Sequence, residues 1–196
     1  LKLLIFIPHI KKANFLGGEP FLIDIYYEIW DKIIALNKAC NVFIQTNGHI
    51  LNQRIKTMLS KGKFSIGISF ESIQKEVFSK IRLNGNFDKL MQNIEWFKTY
   101  TQQQNTHLSF AITPLRKTVL ELPDFVNFAN KHQAEIFFNV ATEPHDMAIW
   151  SLSSEQLQEI ISTLKAVHFE PASNSIEQTN NMQFKSFVQQ IEQWYK

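Results

Sequence analysis

The stretch Phe64-Ser65-Ile66-Gly67-Ile68-Ser69-Phe70-Glu71 alternates strictly. Phe64, Ile66, Ile68 and Phe70 fall on one face of a strand, and Ser65, Gly67, Ser69 and Glu71 on the other. A parallel strand covered by helices on both sides reads apolar throughout. Here one face suits helices and the other suits a polar interior, the arrangement of a barrel, or part of one, with a ligand in its mouth.

Outward from this segment the chain alternates between two periods. Strand-like runs are predicted at Ala13–Leu16, Asn41–Thr46, Phe64–Glu71, His107–Thr113 and Glu135–Thr142. Helical spacing fills the gaps. In residues 24–39, Ile25, Ile29, Ile33 and Leu36 share a face; in 87–101, Phe87, Leu90, Met91, Ile94 and Phe97 do. Residues 122–131 follow the same rule with Pro123 in the first turn, and shorter helices fit 51–60 and 72–80. This order predicts βαβ units and a parallel sheet. From Ile149 the pattern is helical only. Ser153 to Gln156 reads as a capping box opening a helix to Val167, and a polar loop over 171–181 precedes a last helix with Phe184, Phe187, Val188, Ile191 and Trp194.

Composition narrows the class. With 196 residues, 44% apolar and 19% charged, the chain can bury a substantial core, and 17 Phe predict a bulky aromatic one. Lys and Arg number 20 against 18 Asp and Glu, scattered without a basic block, so no nucleic-acid partner is expected. No run of eighteen apolar residues predicts a membrane span. The opening LKLLIFIPHIKK is not read as a signal peptide, because Pro8 ends its short apolar run and no small-residue cleavage site follows. The one cysteine, Cys40, cannot form an internal disulfide and suits a reducing, cytoplasmic location.

In parallel α/β folds ligands collect beyond the carboxyl ends of the strands. Those ends carry Gly17-Gly18-Glu19-Pro20, Thr46-Asn47-Gly48-His49, Ser69-Phe70-Glu71-Ser72, Thr113-Pro114-Leu115-Arg116 and Thr142-Glu143-Pro144-His145-Asp146. Each has an ordinary reading: paired glycines serve tight turns, Asn-Gly is a turn dipeptide, and histidines in loops are mostly solvated. No zinc-protease, phosphate-loop or dinucleotide motif is present.

Taken in order, FLGGEPFL, QTNG, ISFES and IRLNGNF resemble the radical S-adenosylmethionine (radical SAM) superfamily, in the branch with SPASM or twitch extensions, from about Leu1 to Thr142. The resemblance implies an α/β fold, a partial (β/α)6 TIM-like barrel of parallel strands spanning residues 1–148, and a helical C-terminal extension over 149–196. It implies two cofactors, S-adenosyl-L-methionine and a [4Fe-4S] cluster, and an enzyme whose intact form reductively cleaves the first at the second. The 5′-deoxyadenosyl radical so formed modifies a substrate, here of peptide or protein class, with an electron donor as partner.

By the same resemblance Gly17, Gly18, Glu19 and Pro20 receive the methionine amino group, with Thr46 and Asn47 on the same rim. Ser69 reaches the ribose or carboxylate region, and Arg82 pairs with the methionine carboxylate. Glu71, where the family pattern has Asp, stands at the ribose contact of the cofactor. His49, His145 and Asp146 are candidates to meet substrate. The family's CxxxCxxC ligands are not in this sequence, and Cys40 is read as a structural residue. Strand starts 23 to 43 residues apart place an earlier strand, and the cluster loop after it, upstream of Leu1. Leu1–Lys12 then reads as the end of a first helix and its exit, and the chain as an inactive piece of a longer enzyme. The alternatives are a cluster-free module binding S-adenosylmethionine or a peptide, and an unrelated βα protein whose GGEP is only a turn.

Overall fold

The computed structural model describes residues 2–195. Five strands, β1 (Lys12–Phe15), β2 (Asn41–Thr46), β3 (Phe64–Phe70), β4 (Leu108–Ile112) and β5 (Glu135–Phe138), form one sheet in sequence order. The pairs β1–β2, β2–β3 and β4–β5 are parallel. Helices α1 (Asp24–Leu36), α2 (Gln53–Ser60), α3 (Lys75–Ile81), α4 (Phe87–Gln104) and α5 (Leu122–Lys131) follow or separate the strands, and α6 (Ser154–Lys165) and α7 (Ser175–Trp194) close the order. This is the α/β architecture expected from the sequence.

The alternation in β3 sorts as the pattern requires. Phe64, Ile66, Ile68 and Phe70 are at most 1% exposed, while Ser65 and Ser69 are half-buried. Gly67 is a true glycine position: a Cβ there would collide with Gln45 and Phe43 of β2.

By chain contacts the molecule divides into two compact units. The first comprises the chain up to Ile68 together with Asp88–Leu108. Its core is built around Trp30, fully buried, with Phe15, Phe21, Tyr27 and Phe64 set edge-on within about 6 Å. The second comprises Ser69–Phe87 and the chain from Ser109 on. Phe70 meets Phe110 and Phe125, and a further cluster joins Val119, Leu122 and Val126 to Leu157, Leu164, Phe184 and Ile191. Asn180 of α7 is fully buried; its Oδ1 accepts from the Ile136 amide at 2.9 Å and its Nδ2 donates to the Ala134 carbonyl at 2.9 Å and to Asn130.

Four expectations are corrected. The α1 face is rotated: Tyr27, Trp30 and Ile33 are buried, whereas Ile25 and Leu36 are 43% and 50% exposed, because the aromatic side chains offer more area to bury than the isoleucine stripe. Residues 2–9 form two 3-10 turns, Lys2–Ile5 and Ile7–His9, and not a helix end; Pro8 lacks the N–H that a continuing α-helix needs, and Asn37 fastens the segment by donating to Ile7 and Ile10 carbonyls at 2.8 Å. Leu1, included in that expectation, lies outside the described residues. β5 stops at Phe138, short of Thr142. The polar loop ends early, since Asn174 caps α7 through the Glu177 amide at 3.0 Å and residues 175–181 are helical.

Candidate functional site

The chain leaves β1 through Leu16 into two consecutive left-handed residues, Gly17 at φ +86° and Gly18 at φ +56°. Such values exclude most side chains. A Cβ on either would touch nothing within 4 Å, so the turn borders open space. Gly48 differs: its left-handed backbone (φ +72°) also packs against Leu90 and Ile68.

Glu19 follows in extended conformation, and Pro20 opens the 3-10 turn Pro20–Leu22. The half-buried Glu19 carboxylate is fixed from both sides. Oε1 accepts from the Thr46 hydroxyl at 2.8 Å and the Phe21 amide at 3.3 Å; Oε2 accepts from the Asn47 amide at 2.9 Å. A carboxylate offers about four lone-pair sites, so one on Oε2 stays available to an incoming donor. The carboxylate thus ties the β1 turn to the β2 turn and keeps an acceptor.

The β2 turn is itself braced. Thr46, 2% exposed, accepts from the Gly48 amide at 3.1 Å. Asn47 Oδ1 accepts from the His49 amide at 2.9 Å, and His49 Nδ1 donates to the Asn47 carbonyl at 2.8 Å, which fixes the proton on Nδ1. Buried Asn93 of α4 donates to the Gly48 carbonyl at 2.7 Å. Asn93 was missed in the sequence, where a polar residue beside Ile94 gives no sign that it faces inward.

In the second unit Ser69, Glu71 and Arg82 come together. Arg82 Nε donates to Glu71 Oε2 at 2.7 Å, and Nη2 donates to Glu71 Oε1 and to the Ser69 carbonyl, each at 2.8 Å. Both side chains are about one-fifth exposed, the setting in which a bidentate ion pair holds its geometry. A guanidinium carries two further N–H groups on Nη1. Glu71 therefore orients Arg82, a pairing that neither strand nor helix period announces.

Elsewhere in this unit, Arg116 ties the turn after β4 to that after β5. Its Nε donates to the Ala148 carbonyl at 3.1 Å and its amide to the Met147 carbonyl at 3.0 Å. His145 and Asp146 are exposed on the 3-10 turn His145–Met147, with the His145 ring edge-on to Trp150 at 4.6 Å.

The donors present fit one of the two expected cofactors. An open left-handed turn leading to a carboxylate with a spare lone pair suits an ammonium bearing a small substituent. Iron is different. Cys40 is buried, and burial pushes its thiol pKa up, away from the thiolate that iron requires. Among the described residues no group of three or more His, Cys, Asp or Glu is placed to hold a metal. Among them also, no helix is long and apolar enough to cross a membrane.

A parallel sheet in sequence order with helices between its strands defines an α/β fold of the kind that carries ligands beyond its strand ends. Residues 1–129 match the Radical SAM superfamily, and the chain belongs to it. Among curated proteins it is similar to GTP 3',8-cyclase of Limosilactobacillus fermentum, 26% identical over 130 residues that are 66% of this chain and 38% of that protein. GTP 3',8-cyclase of Clostridium acetobutylicum is 29% identical over 131 residues, 66% of this chain and 40% of that protein. The chain thus spans about two fifths of the length of these relatives. Among solved structures it shares its fold with native anSMEcpe with bound AdoMet and Cp18Cys peptide, at TM-score 0.56 and 19% identity over 79% of this chain and 45% of that one. Streptococcus suis SuiB bound to S-adenosylmethionine gives TM-score 0.55 and 11% identity over 79% and 34%.

Proposed function

We propose that this chain supplies the S-adenosylmethionine-binding part of a radical SAM enzyme. The observation that carries the reading is the Gly17–Gly18 turn: left-handed, open, and leading into the carboxylate of Glu19. Gly17 and Gly18 let the methionine amino group approach the backbone, and Glu19 Oε2 accepts from it. Pro20 fixes the direction in which the chain leaves. Thr46 and Asn47 hold the carboxylate in place. Within the second unit Arg82, held by Glu71 and the Ser69 carbonyl, is the proposed partner of a carboxylate. Glu71, bound in this way, is an orienting group for Arg82.

Bound beside a reduced iron–sulfur cluster, S-adenosylmethionine supplies hydrogen-abstraction chemistry; the residues of this chain bind and orient it. The cluster's cysteines are not among them, so no iron step is assigned to this chain. The reduction needs an electron donor as partner, and the buried thiol suits the cytoplasm. The substrate is of peptide or protein class, supported by the peptide bound to anSMEcpe, with the exposed His145 and Asp146 as its contacts and His49 bracing the adjoining Asn47 loop. The names of the curated relatives point instead to GTP, and a competition assay separates the two.

Equilibrium dialysis with labelled S-adenosylmethionine tests the core of this reading. Glu19→Gln is expected to weaken binding about tenfold or more, the scale of a lost charge-assisted hydrogen bond. Wild-type binding that Glu19→Gln and Gly18→Val leave unchanged would remove the assignment. GTP and a cysteine-containing peptide are then added as competitors.

A further inference from the structure

Glu121 is a buried carboxylate that the binding reading leaves unused. It ends the 3-10 turn Val119–Glu121 just ahead of α5 and is 4% exposed. Its partners lie 48 and 49 residues earlier. The Ser72 hydroxyl sits 2.9 Å from Oε1 and 2.8 Å from Oε2, and the Ile73 amide donates to Oε2 at 3.1 Å. Ser72 is fully buried and its Oγ also accepts from the Gln74 amide at 3.0 Å. No cation pairs with Glu121 among the described residues, and a carboxylate buried without one is an expensive way to hold a turn. An apolar side chain would fill the space at lower cost but would leave the Ile73 amide without an acceptor.

The turn it holds leads to the binding arginine. Ser72–Gln74 joins β3 to α3, and α3 runs directly to Arg82. Only Phe78 of α3 is fully buried, so this excursion has little apolar anchorage of its own. Two polar fastenings lie at its ends: the Glu121 clamp where it departs, and the Glu71–Arg82 pair where it returns.

We propose that Glu121 is a positioning residue, whose carboxylate anchors the Ser72–Gln74 turn and thereby fixes the Glu71–Arg82 pair in its binding geometry. The role in binding rests on the S-adenosylmethionine reading above; the anchoring does not. Removal of the carboxylate frees the departure of the excursion, and Arg82 loses its direction while keeping its charge. Glutamine substitutes in part, since its oxygen accepts from Ile73 and its amide donates to Ser72 Oγ.

Two measurements on the wild-type chain, Glu121→Ala, Glu121→Gln and Ser72→Ala decide it. In hydrogen exchange without ligand, Glu121→Ala is expected to speed exchange over residues 73–82 by about tenfold while β5 and α7 stay protected, with Glu121→Gln close to wild type. Unchanged exchange over 73–82, or loosening equal across the whole second unit, overturns the anchor. In dialysis with S-adenosylmethionine, Glu121→Ala is expected to weaken binding about tenfold in the wild-type background and to add little when Arg82 is already Ala. Equal effects in both backgrounds overturn the positioning role. Failure of the wild-type chain to bind S-adenosylmethionine overturns that role along with the reading it rests on, and the exchange result still decides the anchor.

Discussion

At the scale of single residues, two glycine requirements can be told apart. As far as the protein's own atoms go, Gly17 and Gly18 need only their backbone angles, because no neighbour lies beside them. Gly18→Ala is expected to cost about 1–2 kcal/mol of backbone strain, read as a lower unfolding midpoint, with no rearrangement of neighbours. Gly67 has ordinary backbone but no room. Gly67→Ala is expected to displace Gln45 and Phe43, seen as chemical-shift changes along β2, and to destabilise by about 1–3 kcal/mol. A glycine in sequence shows neither reason, so GGEP was legible as a turn and as a family motif, while the purpose of Gly67 needed the Gln45 side chain laid over it.

Glu121 also carries a pH signature. Burial raises its carboxyl above the ordinary value, and Asp124 pushes the same way, outweighing the Ser72 and Ile73 hydrogen bonds. A raised folded pKa means that its contribution to stability is complete below the unfolded value and is lost as pH rises through the folded one. Unfolding free energies measured across that interval are expected to fall with pH in wild type by at most about 1.4 kcal/mol per unit, and to lose this component in Glu121→Gln. An identical slope in both proteins would contradict it.

At the scale of elements, periodicity located every strand and all seven helices among the described residues, but not always their faces or ends. It marked α1 as amphipathic and chose the wrong side, since Ile25 and Leu36 weigh as much as Tyr27 and Trp30 on a simple apolar count. The polar stretch before α7 read as loop because Asn, Gln and Thr rarely enter a core. Asn180 does so by meeting three partners at once, and no local pattern reveals partners 44 to 50 residues away. Asn180→Leu is expected to destabilise by about 1–3 kcal/mol through the unpaired Ile136 amide, read by denaturant unfolding. The capping box of α6 was fully local and therefore fully legible: Ser153 accepts from the Gln156 amide and Gln156 accepts from the Ser153 amide. Ser153→Ala is expected to cost about 1 kcal/mol, read in the same way.

At the scale of the whole molecule, the ordered motifs carried the family, and a match over residues 1–129 agrees with them. They could not carry the way in which the candidate site residues sort into two internally braced groups, Glu19–Thr46–Asn47 in one unit and Ser69–Glu71–Arg82 in the other, because each brace depends on side-chain reach across turns. The iron chemistry is legible chiefly by subtraction. Anaerobic reconstitution of this chain with iron and sulfide is expected to give no stable thiolate-to-iron absorption band, since its single cysteine is buried. A persistent band would show that ligands other than a cysteine triad suffice.

The buried Asn180 has a consequence in time. During synthesis β5 leaves the ribosome with its Ile136 amide and Ala134 carbonyl lacking their eventual partner, which is 44 and 46 residues behind. At cellular elongation rates of about 5–20 residues per second, that interval is roughly 2–9 s. Throughout it the apolar side of β5 waits for a helix not yet made. Only when α7 emerges and seats its asparagine do the Ile136 amide and the Ala134 carbonyl gain these partners.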